Sequence, residues 1–129
     1  MTAAAAVRLF VYGTLREGAG HPMHAVLASS GACVGAASVA GRLVRVDWYP
    51  GLVVTSAGEA SRVIGEVWAL RDDSAFAALD DYEADEYERR ILPVRLATGE
   101  TLEAWTYVFT AAANDLEPIE SGDWLHQAR

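Results

Sequence analysis

One carboxylate in this chain stands apart from its neighbours. Asp80, Asp81, Glu83, Asp85, Glu86 and Glu88 form a dense acidic run, and such runs are most often solvated faces. Glu83 follows Leu79 by four residues and adjoins Tyr82, so on a helix it borders the apolar side. A carboxylate drawn partly out of water there has its pKa raised, toward the range useful for moving protons near neutral pH. Perturbed carboxylates cluster at functional sites, although structural ones are perturbed as well. Glu83 is therefore a candidate general acid/base.

The second candidate is a loop. About seventy residues earlier, Phe10-Val11-Tyr12-Gly13-Thr14-Leu15-Arg16 runs from an apolar strand into a turn. Gly13 and Gly18 have phosphate-loop spacing, but Ala19 and Gly20 follow where that motif needs Lys and Ser/Thr. Met23 stands where the dinucleotide pattern needs glycine, so neither nucleotide motif is present. What remains is either a plain glycine turn or a backbone nest whose N–H groups, at Gly13 to Arg16, face a carboxylate or oxyanion.

Other chemistries find less support. His21 and His24 are three residues apart, with Cys33 and His126 elsewhere. Their spacing matches no closed zinc site, and HExxH and CxxC are absent, so no metal and no cofactor are expected. Cys33 sits in a Gly-Ala setting that reads as a packed strand rather than an activated thiol. No G-x-S-x-G nucleophile elbow occurs. Trp48, Tyr49, Trp68, Trp105 and Tyr107 read as core or pocket walls.

Composition bounds the rest. At 129 residues and 13.8 kDa, with 52% hydrophobic and 22% charged residues, the chain is expected to form one domain over residues 1–129 with a real core. A net charge of −8 leaves no basic stripe to displace counterions from phosphates, which argues against nucleic acid. The same acidity mildly repels anionic ligands at long range, so an anion site must be local. One cysteine fits a reducing compartment. Ala3 to Ala6 lacks a basic leader and runs into a strand, so it is not read as a signal. No segment approaches the roughly 20 apolar residues a membrane span needs. A cytoplasmic protein without membrane attachment is expected; oligomeric state is not readable.

The elements that must hold the two candidates follow from periodicity and punctuation. Val7 to Tyr12 reads as a buried strand ending at Gly13. Pro22 to Ser29 suits a short helix with proline in its first turn. Gly31 to Ser38 and Val39 to Trp48 are β-rich, Tyr49-Pro50-Gly51 reads as a turn, and Leu52 to Thr55 resumes extended structure. Arg62 to Leu70 is a strand in which Gly65 marks a bulge or a close backbone approach. Ser74 to Tyr82 is the clearest helix, with Phe76, Leu79 and Tyr82 at three-residue spacing behind an Asp/Ser cap. Tyr87 to Ala97 and Thr101 to Thr110 flank Thr98-Gly99-Glu100 as a hairpin, and Pro93 suggests an edge or a bulge in the first arm. The polar tail from Asn114 offers Ser121 or Asp123 as the cap of a last short helix. Many short strands with only one or two helices suggest a mixed domain built on a curled sheet or a small barrel.

Taken in order, FVYGTLR, Tyr49-Pro50-Gly51, Val63-Ile64-Gly65-Glu66-Val67, LDDYE with Tyr87 and Arg89, Ala104-Trp105-Thr106-Tyr107-Val108 and Ser121-Gly122-Asp123-Trp124 resemble the γ-glutamylcyclotransferase-like family, in its γ-glutamylaminecyclotransferase branch. The match covers nearly the whole chain. Thr14 stands where serine is also common, and Ala84 follows Glu83 where the family often has glycine. The resemblance implies an α+β fold, a small mixed β-barrel of about six or seven strands with one or two short helices, and a cavity near the Tyr12-to-Arg16 loop. It also implies an amine-releasing acyl transfer, in which a γ-glutamyl amide is cyclised by its own α-amine to 5-oxoproline.

By that similarity Glu83 is the acid/base, and Tyr12, Gly13, Thr14 and Leu15 form the substrate loop. Tyr87 and Tyr107 are candidate pocket residues whose phenols would orient Glu83 or the glutamyl carboxylate. Arg16 or Arg89 either pairs with that carboxylate or satisfies a surface acid. Two rival readings stand beside this one: a non-catalytic small-ligand-binding or interaction module, and a hydrolase that uses water with the same carboxylate.

Overall fold

The computed structural model describes residues 7–13, 24–46, 49–54, 62–71, 74, 76–83, 86–110, 116–119 and 122–124, with the backbone alone at Tyr82 and Glu83. Five strands close a barrel: β1 (Val7–Val11), β2 (Gly31–Ala40), β5 (Arg62–Leu70), β6 (Tyr87–Leu96) and β7 (Thr101–Phe109), in the order β1-β5-β2-β6-β7. The ring closes through a parallel contact of β1 with β7, Leu9 opposite Trp105 and Phe10 opposite Thr106. Strands β3 (Arg42–Arg45), β4 (Pro50–Val53) and β8 (Glu117–Pro118) form a second sheet in the order β4-β3-β8. Among the described residues there are two short helices, α1 (His24–Ser30) and α2 (Phe76–Glu83). The expected mixed barrel with one or two short helices is what forms, closed by five strands rather than six or seven, while β3, β4 and β8 pair with one another in the second sheet.

The apolar run from Leu9 to Tyr12 is explained by the two cores it separates. Phe10 and Tyr12 point into a core shared with Val39, Val67, Val94 and Val108 from the barrel strands and with Leu43 and Leu52 from the second sheet. Leu9 and Val11 point the other way, into a core with Leu27 of α1, Phe76 and Leu79 of α2, and Trp68, Leu70 and Tyr107. Alternation by two thus buries both faces of the strand.

Several local readings hold. β5 has its expected bounds, and Gly65 is a close approach: a Cβ there would lie 2.1 Å from the Val11 carbonyl oxygen. The β6–β7 hairpin turns at Gly99, whose φ is +97°, a conformation glycine adopts freely. Pro93 lies in the stretch of β6 paired with β7 alone, since β2 joins β6 through Ala37–Leu96 and Ser38–Arg95. Its missing N–H therefore breaks no central ladder.

Others need correction. The turn ends at Tyr49, whose carbonyl accepts from the Val46 N–H at 3.1 Å, and Pro50 and Gly51 open β4 instead. Gly51 is required by contact rather than by φ, because a Cβ would meet the Phe109 ring at 2.8 Å. Cys33 is on a strand but exposed. The last helix lies mostly outside the described residues, and β8, too short to have a sequence pattern, arises by pairing with β3. Among the described residues no helix is long and apolar enough to cross a membrane.

Candidate functional site

The loop begins where β1 ends, and its entry is held rigidly. Tyr12 is buried, with its hydroxyl donating to the Tyr107 carbonyl at 2.7 Å and accepting the Leu52 N–H at 3.0 Å. One phenol therefore joins β1, β7 and β4. Its ring is committed to the core, and what Tyr12 offers a ligand is backbone. Tyr12→Phe removes both bonds and leaves the buried Leu52 N–H short of an acceptor, so a loss of about 1–3 kcal/mol in unfolding free energy is expected. Denaturant titration checks this; a loss below about 0.5 kcal/mol would contradict it.

Gly13 sits against the Tyr49–Pro50 corner. A Cβ on Gly13 would lie 2.7 and 2.9 Å from Pro50 Cγ and Cδ, so glycine is what lets the proline ring close over the loop entry. The other side of Pro50 meets the start of β6, where the Tyr87 hydroxyl donates to the Pro50 carbonyl at 2.6 Å. Beside it, the Tyr49 hydroxyl donates to Glu86 Oε1 at 2.8 Å. The Glu86 carbonyl in turn accepts the Thr110 N–H at 2.8 Å. Tyr87 also packs edge-on against Phe109, ring centroids 5.5 Å apart.

Glu83 is the last residue of α2, three residues before Glu86. Three residues span at most about 11 Å, so the end of α2 lies within that distance of Glu86, whose side chain Tyr49 binds beside the Pro50 corner. The loop entry and the segment that follows the candidate acid therefore meet at one end of the barrel, with Pro50 touching both. Thr14, Leu15, Arg16 and the side chain of Glu83 lie outside the described residues, as do His21 and His126. His24 packs edge-on to Trp68, ring centroids 5.2 Å apart.

Tyr107 and Arg89 are engaged with the helix. The Tyr107 hydroxyl donates to Asp80 Oδ1 at 2.6 Å. Arg89 donates from Nε to Asp80 Oδ1 at 3.0 Å and from Nη2 to Oδ2 at 3.1 Å, a bidentate fork. Its guanidinium lies 3.9 Å from the Phe76 ring centroid and 4.6 Å from that of Trp105. Of the two roles open to Arg89, it takes the pairing with an acid.

Burial pushes the Asp80 carboxyl up, but the hydrogen bonds from Arg89 and Tyr107 and the guanidinium charge outweigh it, and the pKa falls below the ordinary value. A folded pKa below the unfolded one contributes stability that is present above the unfolded value, near 4, and is lost as pH falls through the folded one. The thermal midpoint advantage of the wild type over Asp80→Asn is expected to hold from about pH 7 to about pH 5 and to shrink below about pH 4. An advantage unchanged at about pH 2 would contradict this sign.

Sequence reasoning missed Asp80, which looked like one member of a solvated run, and missed Pro50 as more than a turn. The available signal for Asp80 was its place one turn before Glu83. Nothing local distinguishes Pro50 as a bridge, since both its partners are remote in sequence.

Comparison with known proteins agrees with this architecture. Residues 9–126 match the family described as Gamma-glutamyl cyclotransferase, AIG2-like. The chain is similar to the γ-glutamylcyclotransferase family protein YtfP of Escherichia coli strain K12, at 32% identity over 124 residues, covering 92% of this chain and 96% of that one. Among solved structures it resembles an AIG2-like protein from Mus musculus, with TM-score 0.70, 26% identity, and 95% of this chain and 84% of that one covered. It also resembles YkqA from Bacillus subtilis, with TM-score 0.72, 29% identity and 92% of this chain covered, and spans 39% of that protein's length. With its match running almost from end to end, the chain belongs to the γ-glutamyl cyclotransferase, AIG2-like family.

Proposed function

We propose that this protein cyclises a γ-glutamyl amide to 5-oxoproline and releases a free amine. The observation that carries this reading is the double contact of Pro50, with its ring on Gly13 and its carbonyl on Tyr87. It brings the loop entry against the segment that follows α2, and family membership supports the reaction class.

The nucleophile and electrophile are parts of one substrate molecule, so the site has to hold a folded conformer rather than gather two reactants. The α-amine nitrogen attacks the γ-carbonyl carbon, and the carbonyl electron pair moves onto oxygen. Backbone N–H groups from Gly13 to Leu15 stabilise that oxyanion. Glu83 takes the proton that the α-amine sheds. When the oxyanion collapses and the C–N bond to the leaving group breaks, the same carboxyl returns a proton to the departing amine. A position on the last turn of α2 suits this, because the negative end of a helix dipole favours the neutral acid. Arg16 is a candidate partner for the glutamyl α-carboxylate, and Tyr87 for the pocket wall.

Incubation with a panel of γ-glutamyl amines and dipeptides, followed by mass spectrometry, tests the reaction. The expected product is 5-oxoproline with no oxygen incorporated from labelled water. Free glutamate carrying the label would establish hydrolysis instead, and a binding module would yield neither.

A further inference from the structure

Six acidic residues crowd the end of α2 and the segment after it, yet only one is drawn into a three-membered network with residues of β6 and β7 among the described side chains. We propose that Asp80, Tyr107 and Arg89 form a positioning clamp, which sets the rotation and depth of the last turn of α2, the turn whose backbone carries Glu83. This rests on the reading of Glu83 as the acid/base.

The need for a clamp follows from the helix itself. Eight residues make about two turns, too few for a helix to hold its own place in water. Among the described side chains of α2, Phe76 and Leu79 are buried, while Ala77, Ala78, Asp80 and Asp81 are exposed. Apolar packing thus anchors the first turn, and the network at Asp80 secures the last. Asp80 and Glu83 are three apart, neighbours on the helix surface. Fixing one fixes the direction from which the other leaves the backbone.

Tyr107 gives the clamp its reference point. Its hydroxyl binds Asp80 at 2.6 Å, while its own carbonyl receives the Tyr12 hydroxyl at 2.7 Å. The helix and the residue before Gly13 are thereby registered against a single residue of β7. Arg89 stiffens the arrangement: the fork gives Asp80 two parallel bonds, and the guanidinium rests against the Phe76 and Trp105 rings. A half-exposed ion pair adds little stability, whereas the planar geometry of the fork is restrictive. The arrangement is better suited to orientation than to strength.

Tyr107→Phe deletes one oxygen from the clamp and keeps both the buried ring and the carbonyl that receives Tyr12. With 5-oxoproline release as readout, kcat is expected to fall roughly ten- to hundredfold, the scale of a small misplacement of a catalytic group, with KM little changed. Hydrogen exchange across residues 79–87 is expected to quicken. Arg89→Lys keeps the charge without the fork and should lie between wild type and Tyr107→Phe.

A rise in KM with kcat preserved would instead make Tyr107 a substrate contact and overturn the proposal. So would wild-type kcat together with unchanged exchange. If the wild type itself releases no 5-oxoproline, the acid/base reading falls, and the exchange measurement alone judges whether the clamp orders α2.

Discussion

Replacing Glu83 with glutamine is expected to lower 5-oxoproline release by roughly 10²- to 10⁴-fold, the usual share of a positioned acid/base. The barrier would rise by about 3–5 kcal/mol, at about 1.36 kcal/mol per factor of ten. Glutamine keeps the size of the side chain and removes only its capacity to take and return a proton. Folding should therefore be unaffected, with the thermal midpoint and circular dichroism those of the wild type. The loss should appear in kcat, because in the proposed reaction the carboxylate would act on protons in flight rather than on the bound ground state. Undiminished release from this variant would remove Glu83 from the mechanism and return the acidic run to the status of a solvated face.

The second large effect concerns the frame. Gly65→Ala would place a Cβ 2.1 Å from the Val11 carbonyl oxygen and 2.8 and 2.9 Å from Phe10 Cζ and Cε1. Val11 is held by its pairing with Glu66, and Phe10 is buried in the barrel core. Neither can give way without opening the β1–β5 ladder. A destabilisation of about 3 kcal/mol is expected, at the upper end for overpacking in a core. That is a sizeable share of the 5–15 kcal/mol typical of a folded domain. Because Gly13 lies two residues beyond Val11, whatever activity survives should fall as well. Denaturant unfolding of the variant gives the number, and a midpoint equal to that of the wild type would show that β1 and β5 do not approach as described.

How much of this was legible in the sequence varied with the range of the interaction that decides it. β5 was readable to the residue, because Arg62 to Leu70 is rich in β-prone residues and lies between polar stretches, with Gly65 its one expected irregularity. The β6–β7 hairpin was readable too, since Thr98-Gly99-Glu100 supplies a glycine where positive φ is needed. Helix α2 was set by the spacing of Phe76 and Leu79. Each of these is a local pattern.

The split between barrel wall and second sheet was not readable, because it depends on where β3 goes after Gly41, and its partners β4 and β8 are fixed by tertiary pairing. Two residues, Glu117 and Pro118, have no strand signature of their own. At the site, sequence reasoning singled out Tyr12, Gly13, Tyr87 and Tyr107 but not what their side chains do. Tyr12 and Tyr107 have polar ends spent within the protein, on a strand carbonyl and a helix carboxylate. The partners lie 95 and 27 residues away, and nothing local marks them. Choosing Asp80 from its acidic neighbours needs the phase of α2 against β7, which is a property of the packed molecule.

The most direct measurement is a crystal structure with 5-oxoproline bound. The lactam is expected at the end of β1, its oxygen on the amides of Gly13 to Leu15. The Glu83 carboxylate should lie within about 3 Å of the ring nitrogen, the reach proton transfer requires. A lactam seated in that loop with Glu83 turned away into solvent would contradict the account, as would a lactam bound on another face of the barrel.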